Sequence, residues 1–262
     1  MLPAVFVAHG SPMVALDDDE YTRALRGLGA RQPRPRAIAC VSAHWQLAGP
    51  VRVTAHPRPP LIYDFGGFPD ALYRLSYPAP GAPDVAAEIV ALLGAAGIAA
   101  ALDPARGLDH GVWVPLRHAV PAADIPIVAV SLPAVAPNEL LALGRALAPL
   151  RDRGVLLLGS GGIVHNLGRL HPDQHGAPIA PWARAFDHWV RARLETRDLA
   201  ALADYRRAAP HAALAVPTTE HFDPLLVVAG STGSDDQVTD VFVGFQHGTL
   251  SLRCVAFEPP PA

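Results

Sequence analysis

Five histidines in this chain stand where an imidazole can do chemistry. His9 ends an apolar run in VFVAHGSP, His44 ends another in ACVSAHW, His110 sits between glycines in GLDHGVW, His165 follows GSGGIV, and His221 lies in TTEHFDP. Imidazole binds metals when neutral and carries protons near working pH, because its unperturbed pKa is about 6.5. No HExxH or CxxC spacing is present, so a metal site has to be assembled by the fold from distant segments. A lone strand-end histidine commonly does no more than bond backbone groups. His9 and His44 together, each flanked by small residues, leave room for an ion and its ligands.

The other segments weigh differently. Gly159, Gly161 and Gly162 could cradle a phosphate, but the stretch lacks the lysine of a P-loop and the spacing of a dinucleotide fingerprint. The alternative is that these glycines let the backbone pass close to a ligand and deliver His165 to it. His110, read as a loop residue, has Asp109 beside it and so is suited to proton transfer. Tyr63, Asp64 and Phe65, in a loop expected over the rim, are candidates for substrate contact, with Tyr63 and Phe65 able to stack on an aromatic ring. The seven remaining histidines (His56, His118, His171, His175, His188, His211 and His247) read as surface or structural.

These residues need elements to hold them. Short runs rich in Val and Ile predict strands over Ala4 to Ala8, Ala37 to Ser42, Ile125 to Ser131, Val155 to Gly159, Val241 to Phe245 and Leu250 to Phe257. Helical patterns lie between them. One covers Asp84 to Gly97 with Asp84 as N-cap, a second Asn138 to Leu150, and a third Pro181 to Leu194 with proline in its first turn. The alternation predicts an α/β fold, with a mainly parallel central sheet flanked by helices on both faces and a C-terminal antiparallel hairpin. Neighbouring parallel strands would bring His9 and His44 to one rim. With no repeat and no linker, residues 1–262 read as a single domain.

Composition narrows the function classes. Half of the 262 residues are hydrophobic, 17% are charged and the net charge is -3, which argues against a disordered chain or a nucleic-acid binder. The expected partner is a small molecule. Cys40 and Cys254, the only cysteines, are too few for a disulfide framework, and a reducing cytoplasm is expected. No run reaches the ~18 to 20 apolar residues that span a bilayer, so no membrane partner is expected.

HGSP, SAHW, YDFGGFP, LDHGVWVPL, GSGGIVHNL and TTEHFDPL follow one another between residues 9 and 225. Taken together they resemble the class III extradiol ring-cleavage dioxygenases of the LigB superfamily, in the branch similar to 4,5-DOPA dioxygenase. The resemblance implies a catalytic domain over the whole chain that opens a catecholic, DOPA-like substrate with O₂ to a muconic semialdehyde-type product. It implies one divalent metal, Zn(II) or Fe(II), with Fe(II) expected for ring cleavage. His9, His44 and His221 match the metal-binding histidines, with Glu220 as an alternative to His221. His165 matches an active-site histidine that is a base in some members and a further ligand in others. His110 matches one that assists proton transfer or oxygen binding. Glycines occur before GFP and within GSGGIVHN where bulkier residues or asparagine are usual, which bears on substrate identity. A homo-oligomer is compatible with the family. Two other readings keep the fold: a zinc-dependent hydrolase or carbonyl-processing enzyme, and a non-catalytic metal-binding relative.

Overall fold

The computed structural model describes residues 1–31 and 33–260. The strands are β1 (Ala4–Ala8), β2 (Ala37–Leu47), β3 (Val51–Thr54), β4 (Ala100–Asp103), β5 (Ile127–Pro133), β6 (Val155–Gly161), β7 (Gln237–Phe242), β8 (Phe245–Gln246), β9 (Leu250–Ser251) and β10 (Cys254–Glu258). The longer helices are α1 (Glu20–Arg31), α2 (Pro83–Ala95), α3 (His110–Ala119), α4 (Pro137–Leu147), α5 (Pro181–Glu195) and α6 (Asp223–Gly230).

Eight strands form one sheet in the order β4-β3-β5-β2-β6-β1-β10-β7. Its centre, β5-β2-β6-β1, is parallel. Consecutive residues of a strand face opposite sides, and both sides here are apolar, as a parallel sheet requires. Ala4 and Phe6 of β1 pack with Ile89 of α2, Leu143 of α4, Phe186 of α5 and Leu226 of α6. Val5 and Val7 pack on the other side with Leu25 of α1 and Trp113 of α3. Each such side chain contributes roughly 1.5–3 kcal/mol on burial. The expected fold class is the one observed.

Several elements differ from expectation. β3 and β4 were not foreseen; they extend the sheet edge, parallel to each other, with β3 antiparallel to β5. The hairpin exists but is longer: β7 pairs with β10 across a register shift at Cys254/Val255, while β8 and β9 form a separate two-stranded ribbon at its tip. The tip reverses at His247 and Gly248, both at positive φ (53° and 67°), a reversal suited to antiparallel strands. Asp84 is not the cap of α2; Ala82 precedes a helix begun by Pro83, with Asp84 in the first turn. α4 stops at Leu147, and Pro149–Asp152 makes a separate turn of helix.

Candidate active site and metal centre

The site grows from the carboxyl ends of three strands. β6 pairs with β1 as far as Ala8↔Gly161 and with β2 as far as Ser42↔Ser160, so all three reach one rim together. β1 and β2 are not neighbours, since β6 lies between them. His9 follows β1 directly, and its N–H donates to the Gly161 carbonyl at 3.1 Å. His44 lies inside the long strand β2, where pairing with β5 breaks between Val41 and Gln46, and this irregularity frees the residue from the ladder.

The remaining histidines arrive from helices and loops. His110 is the first residue of α3 and not a loop residue, preceded by Asp109 as N-cap. Gly111 is required beside it, because a Cβ there would lie 2.5 Å from Ser42 Oγ and 3.0 Å from His44 Cδ2. His221 precedes α6, and the backbone around it is drawn tightly against the end of β6. Gly162 N–H donates to its carbonyl at 2.8 Å, and a Cβ on Gly161 would stand 2.1 Å from that oxygen. The glycines of GSGG therefore permit close backbone approach. His165 lies four residues past Gly161 and stacks on His221, with ring centroids 3.5 Å apart and planes at 6°.

All five rings converge. His9 lies 4.8, 5.3 and 5.2 Å from His44, His110 and His221 between centroids, and His44 lies 4.0 Å from His110 and 5.0 Å from His221. Nε2 of His9 and Nε2 of His44 are 3.0 Å apart. Ligand-capable atoms of His9, His44 and His110 lie within 4.8 Å of one another, as do those of His165, Glu220 and His221.

Hydrogen bonds at the outer nitrogens fix the tautomers. Ser160 donates its hydroxyl to the Gly111 carbonyl, so its oxygen accepts from His9 Nδ1 at 3.0 Å. Asp64 Oδ1 accepts from His110 Nδ1 at 3.0 Å and from His110 N–H at 2.9 Å, and Oδ2 lies 3.5 Å from His44 Nδ1. Glu220 Oε1 accepts from His221 Nδ1 at 3.0 Å and from the Thr218 hydroxyl at 2.8 Å. With the proton on Nδ1, the Nε2 lone pairs of His9, His110 and His221 are free. This is the arrangement in which metal-binding imidazoles are held, and a divalent ion fits the donor set.

Burial tunes the charges. Desolvation first, then the neighbouring imidazoles, hold His9 well below its usual pKa. The same causes press His44 to about 2 and His165 to about 3. Burial opposes ionisation of Asp64, but its hydrogen bonds from His110 prevail and leave it at about 2; the bond from His221 likewise takes Glu220 to about 2. Burial raises Asp109, whose carboxylate accepts from Ser42 Oγ at 2.6 Å and pairs with Arg106 at 3.3 Å.

A cavity of about 520 Å³ opens over the cluster, within the range of roughly 300–1,000 Å³ usual for small-molecule sites. Phe65 lines it. Tyr63 does not: its hydroxyl donates to the Leu75 carbonyl at 2.5 Å and its ring packs on Trp113. Asp64, expected to contact substrate, bonds to His110 through one carboxylate oxygen and lies near His44 through the other. Ser160, Phe68, Gln174 and His247 were missed. The serine hid among glycines, and His247, read as surface, is brought to the cavity by the hairpin tip. Of the other histidines read as structural, His118 is buried, bonded to the Val14 carbonyl at 2.7 Å.

Comparison with known proteins gives the site its relatives. The family described as "Catalytic LigB subunit of aromatic ring-opening dioxygenase" matches residues 3–252. A "4,5-DOPA dioxygenase extradiol" of Escherichia coli (strain K12) is 43% identical, over 97% of this chain and 94% of its own length. A protein of the same name from Beta vulgaris is 38% identical, over 96% and 95%. The crystal structure of an uncharacterized protein from Escherichia coli K12 superposes with a TM-score of 0.82 at 37% identity, covering 98% of this chain and 100% of that one. The chain belongs to the LigB family of extradiol aromatic ring-opening dioxygenases, a class of oxidoreductases.

Proposed function

We propose that this enzyme opens the ring of a 4-substituted catechol of the kind DOPA exemplifies, using O₂ and one divalent metal, Fe(II) in the active form. The observation that carries the reading is the convergence of His9, His44, His110, His165 and His221 under a small-molecule cavity, with carboxylate or hydroxyl partners on the outer nitrogens of three of them. His9, His44 and His221 would hold the metal, with His165 as a fourth donor. When bound, the ion supplies a chelating Lewis acid that acidifies the catechol hydroxyls and brings O₂ to the same centre.

The chain's own groups do the rest. His165, held at about pKa 3 with its ring flat on His221, is better suited to a neutral ligand than to a proton acceptor. His110 suits that task better. The Asp64 carboxylate on its Nδ1 stabilises the imidazolium that forms when Nε2 takes the second hydroxyl proton, and the same proton is available for return to oxygen. The ring carbon–carbon bond beside the diol breaks, one O₂ atom completes a carboxyl group and the other becomes the aldehyde oxygen. The catechol carbons supply all the electrons, so no further reductant is required. Phe65 offers a ring edge to the aromatic substrate.

A zinc-dependent hydrolase on the same scaffold is the second reading, favoured by the four imidazoles proposed above as donors, His9, His44, His165 and His221, a set that suits tetrahedral zinc. Anaerobic reconstitution of the metal-free protein with Fe(II) or Zn(II), followed by a catechol panel in air, separates the two. Iron-dependent O₂ uptake with a yellow ring-opened product is expected; tight zinc with no uptake on any catechol would overturn the first reading. The free, buried Cys40 and Cys254 support a reducing compartment such as the cytoplasm. Among the described residues no helix is long and apolar enough to cross a membrane.

A further inference from the structure

His44 stands in a gap in the sheet. β2 pairs with β6 only as far as Ser42, and its pairing with β5 is broken between Val41 and Gln46, so His44 has no ladder partner on either side. Peptide groups left out of a ladder need other partners. Those of His44 are taken up by side chains. Its N–H donates to Ser42 Oγ at 3.2 Å, and its carbonyl accepts from Arg106 Nη2 at 3.3 Å. One carboxylate holds both of these side chains: Asp109 Oδ1 accepts from the Ser42 hydroxyl at 2.6 Å, and Oδ2 accepts from Arg106 Nη2 at 3.3 Å. The four residues close a ring of hydrogen bonds, from His44 to Ser42, Asp109, Arg106 and back to His44. Donors meet acceptors all the way round, since Ser42 accepts once and donates once and the two hydrogens of one Arg106 nitrogen serve two acceptors.

The ring is anchored in the interior. Ser42 and Asp109 are 1% and 0% exposed, and the Arg106 guanidinium lies 5.1 Å over the ring of the buried Trp45. A buried carboxylate requires a cation and hydrogen bonds, and Asp109 finds both in groups that also hold His44. Ser42, Arg106 and Asp109 do not line the cavity, so they act on the site through His44 and not on substrate. Asp109 also leads directly into α3, which ties the His44 backbone to the element that carries His110. A Cβ on Gly111, in the first turn of α3, would stand 3.0 Å from His44 Cδ2, so the imidazole is seated against that turn.

We propose that Asp109 is a positioning residue for the metal: acting through Ser42 and Arg106, its carboxylate fixes the backbone of His44 at the gap in β2 and so sets the geometry and affinity of the metal centre. This rests on the assignment of His44 as a metal ligand above.

Co(II) binding to the metal-free protein tests it, with affinity read by chelator competition and ligand geometry by visible absorption, at a temperature where circular dichroism shows each variant folded. An amide has one accepting and one donating end, so Asp109→Asn cannot accept from both Ser42 and Arg106. That variant is expected to weaken Co(II) binding roughly 10–100-fold and to change the absorption bands. Ser42→Ala and Arg106→Met each break one arm of the ring and should shift affinity and spectrum in the same direction; they decide the question if Asp109→Asn does not fold. Variants that melt at a lower temperature yet bind Co(II) with the parent affinity and spectrum overturn the proposal and leave Asp109 a stabilising residue only. His44→Ala is the control. Loss of Co(II) there with no loss in the ring variants overturns this inference alone, whereas full affinity in His44→Ala removes the ligand assignment and this inference with it.

Discussion

Asp64 and His110 are 46 positions apart, yet the carboxylate accepts both the ring Nδ1 and the backbone N–H of the histidine. Asparagine can still accept those bonds but cannot stabilise an imidazolium, so Asp64→Asn should keep its metal and lower kcat by roughly 10–100-fold. Metal content by atomic emission alongside steady-state rates checks this; unchanged kcat would remove the dyad from the mechanism. His110→Ala should likewise retain metal and lose turnover. His9→Ala and His44→Ala should lose metal, and full stoichiometry in both variants would refute their assignment. The five histidines were legible in the sequence because each sits beside small residues or at the end of an apolar run. Their outer partners were not. Asp64 was read toward the substrate, Asp109 was noticed only as a neighbour, and Ser160 not at all, because a hydrogen bond across the sheet leaves no trace in local spacing.

At the scale of elements, the close approach of the His221 backbone to the end of β6 couples packing to the site. Gly161→Ala would place a methyl 2.1 Å from the His221 carbonyl, so the segment before α6 has to move. Overpacking of this kind costs about 1–3 kcal/mol. A lowered melting temperature is expected together with weakened metal affinity, read by chelator competition; loss of stability with unaltered affinity would uncouple the two. The buried strands were legible from continuous apolar runs. α3 was not, since it opens with His110-Gly111 and contains Pro115, all poor helix signals. α6 is buried along its whole length and so lacks an amphipathic period. β3 and β4 are four residues each, and β4 is nowhere fully buried, so neither shows a strong alternation.

The whole molecule gathers neutral imidazoles at one rim, and its stability should record that. His9, His44 and His165 have folded pKa values below the unfolded value of about 6.5, so below that pH the unfolded chain binds more protons and stability falls as the solution is acidified. The melting temperature of metal-free protein should therefore decline between pH 7 and pH 5, and His44→Gln should flatten the slope; a rise on acidification would contradict the burial argument. The fold class was legible because alternating strands and helices admit few architectures, and the shared rim followed from it, although β6 and not direct adjacency joins the two histidine-bearing strands. The central claim, that this rim performs ring-opening oxygenation, is tested most directly by the mass of the product formed by the Fe(II)-loaded enzyme from 4-methylcatechol under ¹⁸O₂. Incorporation of both labelled atoms into a ring-opened product at early times is predicted; a product with no label, or one whose added oxygen comes from water, would contradict it.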